Sequence, residues 1–279
     1  MELGETLEFI RRNKNISLKT LCGTTLSRQN YYRIVHGQAN TSINTFKFIL
    51  DQLHVNFDEF YFIKNNFRQD KIFADMNKVK IFFDKGDLKS LDKMIAKYLE
   101  LKQINQSYLH MYCLINVLKH KLSNHASGPC EALLRDYLTN VETWTHYETV
   151  LFNNCMFIFS TEFIDVTLSK SLHNLSMYST LRKYGNESFR MLTNVLILFI
   201  EREEFERATF ILNKLHQNRL TDDLLFEKAC LEFFENAMLL VTGETTSDAE
   251  CQRIINLFRE LGSDGLAVIF ERYLQKVRQ

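Results

Sequence analysis

The chain has 279 residues, 46% of them hydrophobic, with one proline, nine glycines and 34 basic side chains balancing 34 acidic ones. That length exceeds one compact domain of about 100 to 200 residues. The scarcity of breakers argues against sheet-rich or disordered classes and for an all-α chain. A neutral balance excludes a molecule that gathers nucleic acid by its overall field, and six scattered cysteines without a CxxC pair argue against a disulfide scaffold or a metal finger.

In chain order, Leu3, Leu7 and Ile10 share one face of a first helix, with Arg11, Arg12 and Lys14 near its end. Ser17 is placed to cap a short second helix containing Leu18 and Leu21, and a turn through Gly23, Thr24 and Thr25 follows. The stretch Ser27 to Gly37 then reads as a third helix, begun by a serine cap and ended by a glycine suited to the left-handed C′ position. Tyr31, Ile34 and Val35 fall at i, i+3 and i+4 and face a core, which leaves the other residues of that helix outward. Ser42 caps a fourth helix carrying Ile43, Phe46, Ile49, Leu50 and Leu53, and Phe57 to Phe62 close the unit.

Four or five short helices with a tight turn between the second and third predict a helix-turn-helix domain over 1–65. Residues 1–64 hold eight basic and six acidic side chains, a weak positive bias. The third helix holds two arginines and no acid, and arginine suits guanine or phosphate while Gln and Asn suit adenine. The candidate set for contact with a double-stranded DNA operator is therefore Ser27, Arg28, Gln29, Asn30, Tyr32 and Arg33. The residues alone leave a solvated helix face open as the alternative. Arg11, Arg12, Lys14 and Lys47 fit phosphate contact or plain surface charge equally well, and His36 reads as a loop residue.

From Phe67 onward one apolar-periodic helix follows another, with breaks at 85–86, 124–129, 183–186, 218–221, 242–247 and 262–265. A long helix from Arg68 to Phe83 carries the stripe Ile72, Met76, Val79 and Phe83. Hairpins beginning near 105, 144, 187, 221 and 264 have the spacing of helix-pair repeats, so residues 66–279 are expected to form an α-solenoid. Two of its helices hold polar groups in apolar surroundings: Trp144 to Phe159, with Tyr147, Asn153 and Asn154, and Glu187 to Ile200, with Arg190 and Asn194. A buried carboxamide needs a partner, and asparagine can clamp an extended peptide backbone by donating and accepting at once. Those five residues are the candidate peptide-binding set. Asparagines that tie one helix of the array to the next are the alternative.

No glycine-rich phosphate loop, nucleophile elbow or HExxH pattern occurs, and His120 and His125 lack a second pair of ligands nearby. No catalysis, cofactor or metal is expected. There is no signal-peptide pattern, and the most apolar run, Val195 to Ile200, is far short of a membrane span. A cytoplasmic protein without membrane contact is the expectation.

The order Leu-x-Phe-Ile-Arg-Arg, Ser-Leu-x-x-Leu, Leu-Ser-x-x-x-Tyr-x-Arg-Ile-x-x-Gly and Leu53-His-Val-Asn-Phe-Asp-Glu-Phe60 resembles the lambda-repressor-type domain of Rgg/MutR regulators. Val35-His36 stands where such proteins commonly have Glu-Arg. In the second half, Trp144-x-x-Tyr-Glu-x-x-Leu-Phe-x-Asn, and Asn194 followed by Phe205-Glu-Arg-Ala-x-x-x-Leu-x-x-Leu, resemble the repeat domain of the same family. The resemblance implies a homodimeric transcriptional regulator whose tetratricopeptide-like domain senses a short secreted signalling peptide. A helical-repeat interaction scaffold, or a DNA-binding regulator with no peptide ligand, are the alternatives.

Overall fold

Serines start three of the first four helices, as their spacing predicts. The structure, a computed structural model, describes residues 1–123, 128–177, 187–217, 220, 222 and 224–278, and side chains for all of these except 170–177 and 187–188. The expected breaks at 124–127, 183–186, 218–219 and 221, and His125, lie outside the described residues. The described residues are all-helical and divide into two compact units, 1–115 and 116–279.

The first unit opens with α1 (Leu3–Asn13), α2 (Leu18–Cys22), α3 (Arg28–Val35), α4 (Ile43–Gln52) and α5 (Phe57–Lys64). The hydroxyl oxygens of Ser17, Ser27 and Ser42 accept the amides of Thr20, Asn30 and Thr45 at 3.0, 3.1 and 3.1 Å, each cap contributing about 1 kcal/mol. Gly37 closes α3 at φ +67°. Its amide donates to the Ile34 carbonyl at 3.1 Å and that of Gln38 to Arg33 at 2.7 Å, the wrap-around that consumes the last carbonyls of a helix. The five helices enclose one apolar cluster that includes Leu7, Ile10, Leu21, Tyr31, Ile34, Ile49, Leu50 and Leu53. Full burial of such aliphatic side chains stabilises by roughly 1.5 to 3 kcal/mol each. This cluster, with its half-buried margin, extends from Leu3 to Ile63.

Two turns of chain with φ near +55°, at Asn66 and Phe67, interrupt the path after α5. The long helix expected from Arg68 therefore begins later, as α6 (Lys71–Asp84), where the Asp70 carboxylate accepts the Ile72 amide at 2.9 Å. Along it Met76 and Val79 are buried and Ile72 and Phe83 half-buried. α7 (Leu88–Leu101) packs back on α6. Between them Asp75, buried, accepts the Tyr98 hydroxyl at 2.8 Å and pairs with Lys97. Burial alone would raise the Asp75 pKa; the Lys97 and Tyr98 donors outweigh it and hold the carboxyl below its ordinary range. α8 (Gln106–Leu122) carries the chain onward.

In the second unit follow α9 (Gly128–Asn140), α10 (His146–Cys155), a 3₁₀ turn Met156–Ile158, α11 (Thr161–Met177), α12 (Glu187–Glu201), α13 (Phe205–Gln217), α14 (Leu225–Val241), α15 (Ala249–Glu260) and α16 (Asp264–Val277). Contacts run between sequence neighbours from α11 to α16, with α10 also against α12 and α14 against α16, the nearest-neighbour pattern of stacked hairpins. Helices begin at 106, 146, 187, 225 and 264, close to the expected hairpin starts. On α13, which packs on α12, Ala208 is fully buried and Phe210 is exposed. The helix expected from Trp144 to Phe159 is shorter at both ends. Thr145 and Glu148 form a reciprocal cap that starts α10 after Trp144, and the 3₁₀ turn ends it.

One close approach fixes the first unit. A Cβ on Gly4 would stand 1.9 Å from the Val35 carbonyl oxygen, so α1 can touch the end of α3 only with glycine there. Gly4→Ala is expected to lower stability by about 1 to 3 kcal/mol, read as a fall in the thermal midpoint of the full chain. An unchanged midpoint would show that α1 and α3 are not in this contact.

Candidate functional site

Ser27, Arg28, Gln29, Asn30, Tyr32 and Arg33 are all exposed, while Tyr31 and Ile34 are buried beneath them. The alternation follows from helical periodicity: the apolar residues are spent on the α1–α4 core, so the polar ones must face solvent. The side chains of Arg28, Gln29, Asn30 and Arg33 make no hydrogen bond or ion pair with any described residue. The two guanidiniums and two carboxamides thus present their donors and acceptors to solvent, with no acid on the helix to neutralise them. Ser27 is occupied as the cap, its oxygen accepting the Asn30 amide, though its hydroxyl can still donate. Tyr32 lies against His36, ring centroids 3.8 Å apart, and the His36 Nδ1 sits 2.8 Å from the Tyr32 carbonyl oxygen. His36 is therefore part of the α3 terminus and fixes the ring of Tyr32, a role its position in the sequence did not reveal.

The helix is held from below by α1. Glu8 accepts the Arg11 Nε and Nη2 at 2.9 and 2.6 Å, the Arg12 Nε at 2.7 Å and the Tyr31 hydroxyl at 3.3 Å. Arg11 also donates to the Ile16 carbonyl at 2.7 Å. Its guanidinium belongs to the scaffold and is not the phosphate contact the sequence allowed. Lys14 likewise donates to the carbonyls of Leu53 and His54 at 2.8 and 3.0 Å, closing the end of α4. Lys47 pairs with Asp51 at 2.7 Å on an open surface, and Arg12 remains largely exposed beyond its bond to Glu8.

In the repeat unit the five expected residues separate. Asn154 turns its amide onto its own helix, donating to the Val150 carbonyl at 2.7 Å. Tyr147 is half-buried with its ring edge-on to Tyr137, centroids 6.4 Å apart. The Asn153 Oδ1 is buried and has no hydrogen-bond partner among the described residues, and on α12 the Thr193 Oγ1 is in the same condition. Asn194 is half-buried, with no hydrogen bond to its carboxamide among the described residues, whereas Arg190 is exposed. Since α10 packs on α12, Asn153, Thr193 and Asn194 lie on neighbouring helices. Thr193 escaped sequence reasoning because a helical threonine ordinarily bonds back to its own turn. Arg202 escaped it too: from the end of α12 it donates to the Phe159 carbonyl at 2.7 Å and the Thr161 hydroxyl at 3.1 Å, fastening α12 to the start of α11.

A short capped helix with an open cationic and amide face, followed by an array of stacked helical hairpins, defines a helix-turn-helix regulator with a helical-repeat domain. Residues 88–272 match the family of the C-terminal domain of the HTH-type transcriptional regulator Rgg. The crystal structure of RopB is 39% identical, over 79% of this chain and 98% of that one, with a TM-score of 0.58. The fold is shared with the SHP pheromone receptor Rgg2 of Streptococcus dysgalactiae, at 20% identity over 99% of both chains and a TM-score of 0.76. It is shared also with PrgX in its complex with cCF10, at 15% identity over 99% of both chains and a TM-score of 0.70. The chain belongs to the Rgg family of HTH-type transcriptional regulators. No helix among the described residues is long and apolar enough to cross a membrane.

The scaffold beneath α3 makes a pH prediction. Hydrogen bonds from Arg11, and then from Arg12, lower the Glu8 pKa from 4.5 to about 2 against the opposing cost of burial. A carboxylate depressed in the folded state contributes stability that is fully present above its unfolded value and lost as pH falls from about 4.5 towards about 2. Glu8→Gln is expected to lower stability at neutral pH by up to about 3 kcal/mol and to flatten the stability profile across that acid window. Parallel profiles for the two proteins in denaturant titrations would refute the pairing.

Proposed function

We propose that this regulator is a cytoplasmic homodimer whose segment 1–65 reads duplex DNA through Ser27, Arg28, Gln29, Asn30, Tyr32 and Arg33. The functional boundary we assign, at 65/66, follows the end of the first apolar cluster, although compactness groups α6, α7 and the start of α8 with the first unit. The observation that carries the reading is the unpaired state of the Arg28, Gln29, Asn30 and Arg33 side chains on a helix whose other face is core. Arginine forks fit guanine or phosphate and carboxamides fit adenine, and such contacts discriminate bases by about 1 to 3 kcal/mol each. One module with few phosphate contacts binds weakly and loses affinity steeply with salt. Two modules on half-sites about one helical turn apart remedy this, which is why a symmetric dimer belongs to the reading.

The repeat domain, 66–279, takes a short extended peptide in this proposal. The unpartnered Asn153 and Thr193 oxygens and the open carboxamide of Asn194 support it, each being a group that a peptide backbone can satisfy. Tyr147 and Arg190 flank them, while Asn154, bonded within its helix, has less to offer. The family and the fold shared with a pheromone receptor and with a cCF10 complex point the same way. A peptide changes DNA binding only by favouring one arrangement of the dimer over another, and the coupling is reciprocal.

Arg28→Ala combined with Arg33→Ala is expected to weaken binding to DNA from the regions flanking the gene by at least about 100-fold, with an unchanged melting midpoint. Fluorescence anisotropy reads the loss; retained affinity in the folded double variant would reject α3 as the reading helix. Calorimetry with short secreted hydrophobic peptides is expected to give binding heat, and Asn194→Ala to weaken it by roughly 3- to 10-fold. A peptide that binds both proteins equally would remove Asn194 from the site.

A further inference from the structure

We propose that the ring of Tyr32 reads the 5-methyl group of thymine in the major groove, and that His36 is the positioning residue that holds the ring for this contact. This rests on the DNA-reading role of α3 proposed above and adds to it the base that the helix selects by an apolar contact. The other residues fully exposed along α3, namely Arg28, Gln29, Asn30 and Arg33, all end in hydrogen-bonding groups. Tyr32 alone within the helix turns an aromatic ring outward, and it is 55% exposed. The ring lies outside the apolar cluster that holds the five helices together, so burial in the fold does not account for it.

The way the ring is held identifies what it meets. His36, one turn further on, stacks on it with centroids 3.8 Å apart and planes inclined by 28°. The His36 Nδ1 sits 2.8 Å from the Tyr32 carbonyl oxygen. A carbonyl only accepts, so Nδ1 carries the proton and ties the imidazole to the helix backbone. One face of the phenol is thus covered, and its other face and outer edge are open. A side chain already ordered loses less freedom when it binds. Bases stacked in a duplex show a protein only their edges, and the major-groove edges carry nitrogen and oxygen acceptors, amino donors and a single apolar group, the thymine methyl. The guanidiniums and carboxamides beside Tyr32 suit the acceptors and donors; the methyl is the group that gains by leaving water against a ring. The hydroxyl at the tip of the ring suits a phosphate oxygen instead, and the experiment separates the two contacts.

DNA from the regions flanking the gene is amplified once with thymine and once with uracil, which pairs identically and lacks only the methyl. Burial of one methyl-sized group is worth about 4-fold in affinity, and of one in each of two half-sites about 15-fold. The full chain is therefore expected to bind the uracil DNA roughly 4- to 15-fold more weakly in fluorescence anisotropy. Tyr32→Phe should keep that ratio, and Tyr32→Ala, with an unchanged melting midpoint, should bring it below about 2-fold. Any change that uracil makes to the stiffness of the duplex weighs equally on both proteins, so the comparison isolates the contact. His36→Ala should lower the ratio to an intermediate value, and His36→Phe, which returns a ring to the stack, should recover it. A penalty that persists in Tyr32→Ala would place the methyl contact elsewhere and overturn the proposal. Wild-type indifference to uracil, with affinity lost in Tyr32→Phe, would give the contact to the hydroxyl and overturn it equally. A wild-type ratio in His36→Ala would remove the positioning role. DNA binding that survives loss of Arg28 and Arg33 rejects α3 as the reading helix; binding that needs those arginines yet ignores uracil rejects the thymine contact alone.

Discussion

An eight-residue helix has too few internal hydrogen bonds to persist alone, so everything this regulator does with α3 depends on what α1 does beneath it. Two contacts carry that support. At one end Gly4 lets the backbones of α1 and α3 meet at a distance no side chain would allow. At the other, Glu8 gathers Arg11, Arg12 and the buried Tyr31 hydroxyl into one cluster. Together they fix both the height and the rotation of α3, and the rotation decides which residues face outward. A helix turned by one residue would bury Arg28 or Asn30 and expose Ile34.

Much of the fold was legible in the sequence because it rests on local chemistry. Ser17, Ser27 and Ser42 stand one residue before the apolar periods they cap, and Gly37 stands where only a left-handed residue ends a helix; both signals act over three or four residues. What could not be read is what depends on distant partners. Arg11 and Lys14 look like free cations in the sequence, and only the fold brings Ile16, Leu53 and His54 carbonyls to them. Gly4 carries no turn signal, since its role is a contact with Val35 rather than a backbone conformation. The apolar period from Trp144 to Phe159 is continuous, so it concealed a helix start set by the Thr145–Glu148 cap.

The repeat unit shows the same limit in its polar groups. Adjacent asparagines at 153 and 154 point about 100° apart on a helix, and the sequence cannot say which of them meets its own turn. Asn154 does so, while the oxygen of Asn153 is left buried and without a hydrogen-bond partner among the described residues. An unpaired buried oxygen costs about 1 to 3 kcal/mol, a penalty that a stacked array could avoid with an apolar residue. Thr193 on the neighbouring α12 carries a second such oxygen, so two of them lie on helices that pack together. The array and the first unit thus share one logic: rigid apolar contacts set the geometry, and the polar groups left without partners among the described residues are the ones we propose to meet peptide and DNA.

The central claim, that the outward face of α3 meets DNA while α1 holds it in place, is tested most directly by hydrogen–deuterium exchange of the full chain with and without DNA from the regions flanking its gene. The account predicts slowed exchange concentrated in the segment from Ser27 to Gly37, at DNA concentrations that saturate binding. Bound DNA that leaves this segment exchanging at its free rate, and slows another surface instead, would contradict it.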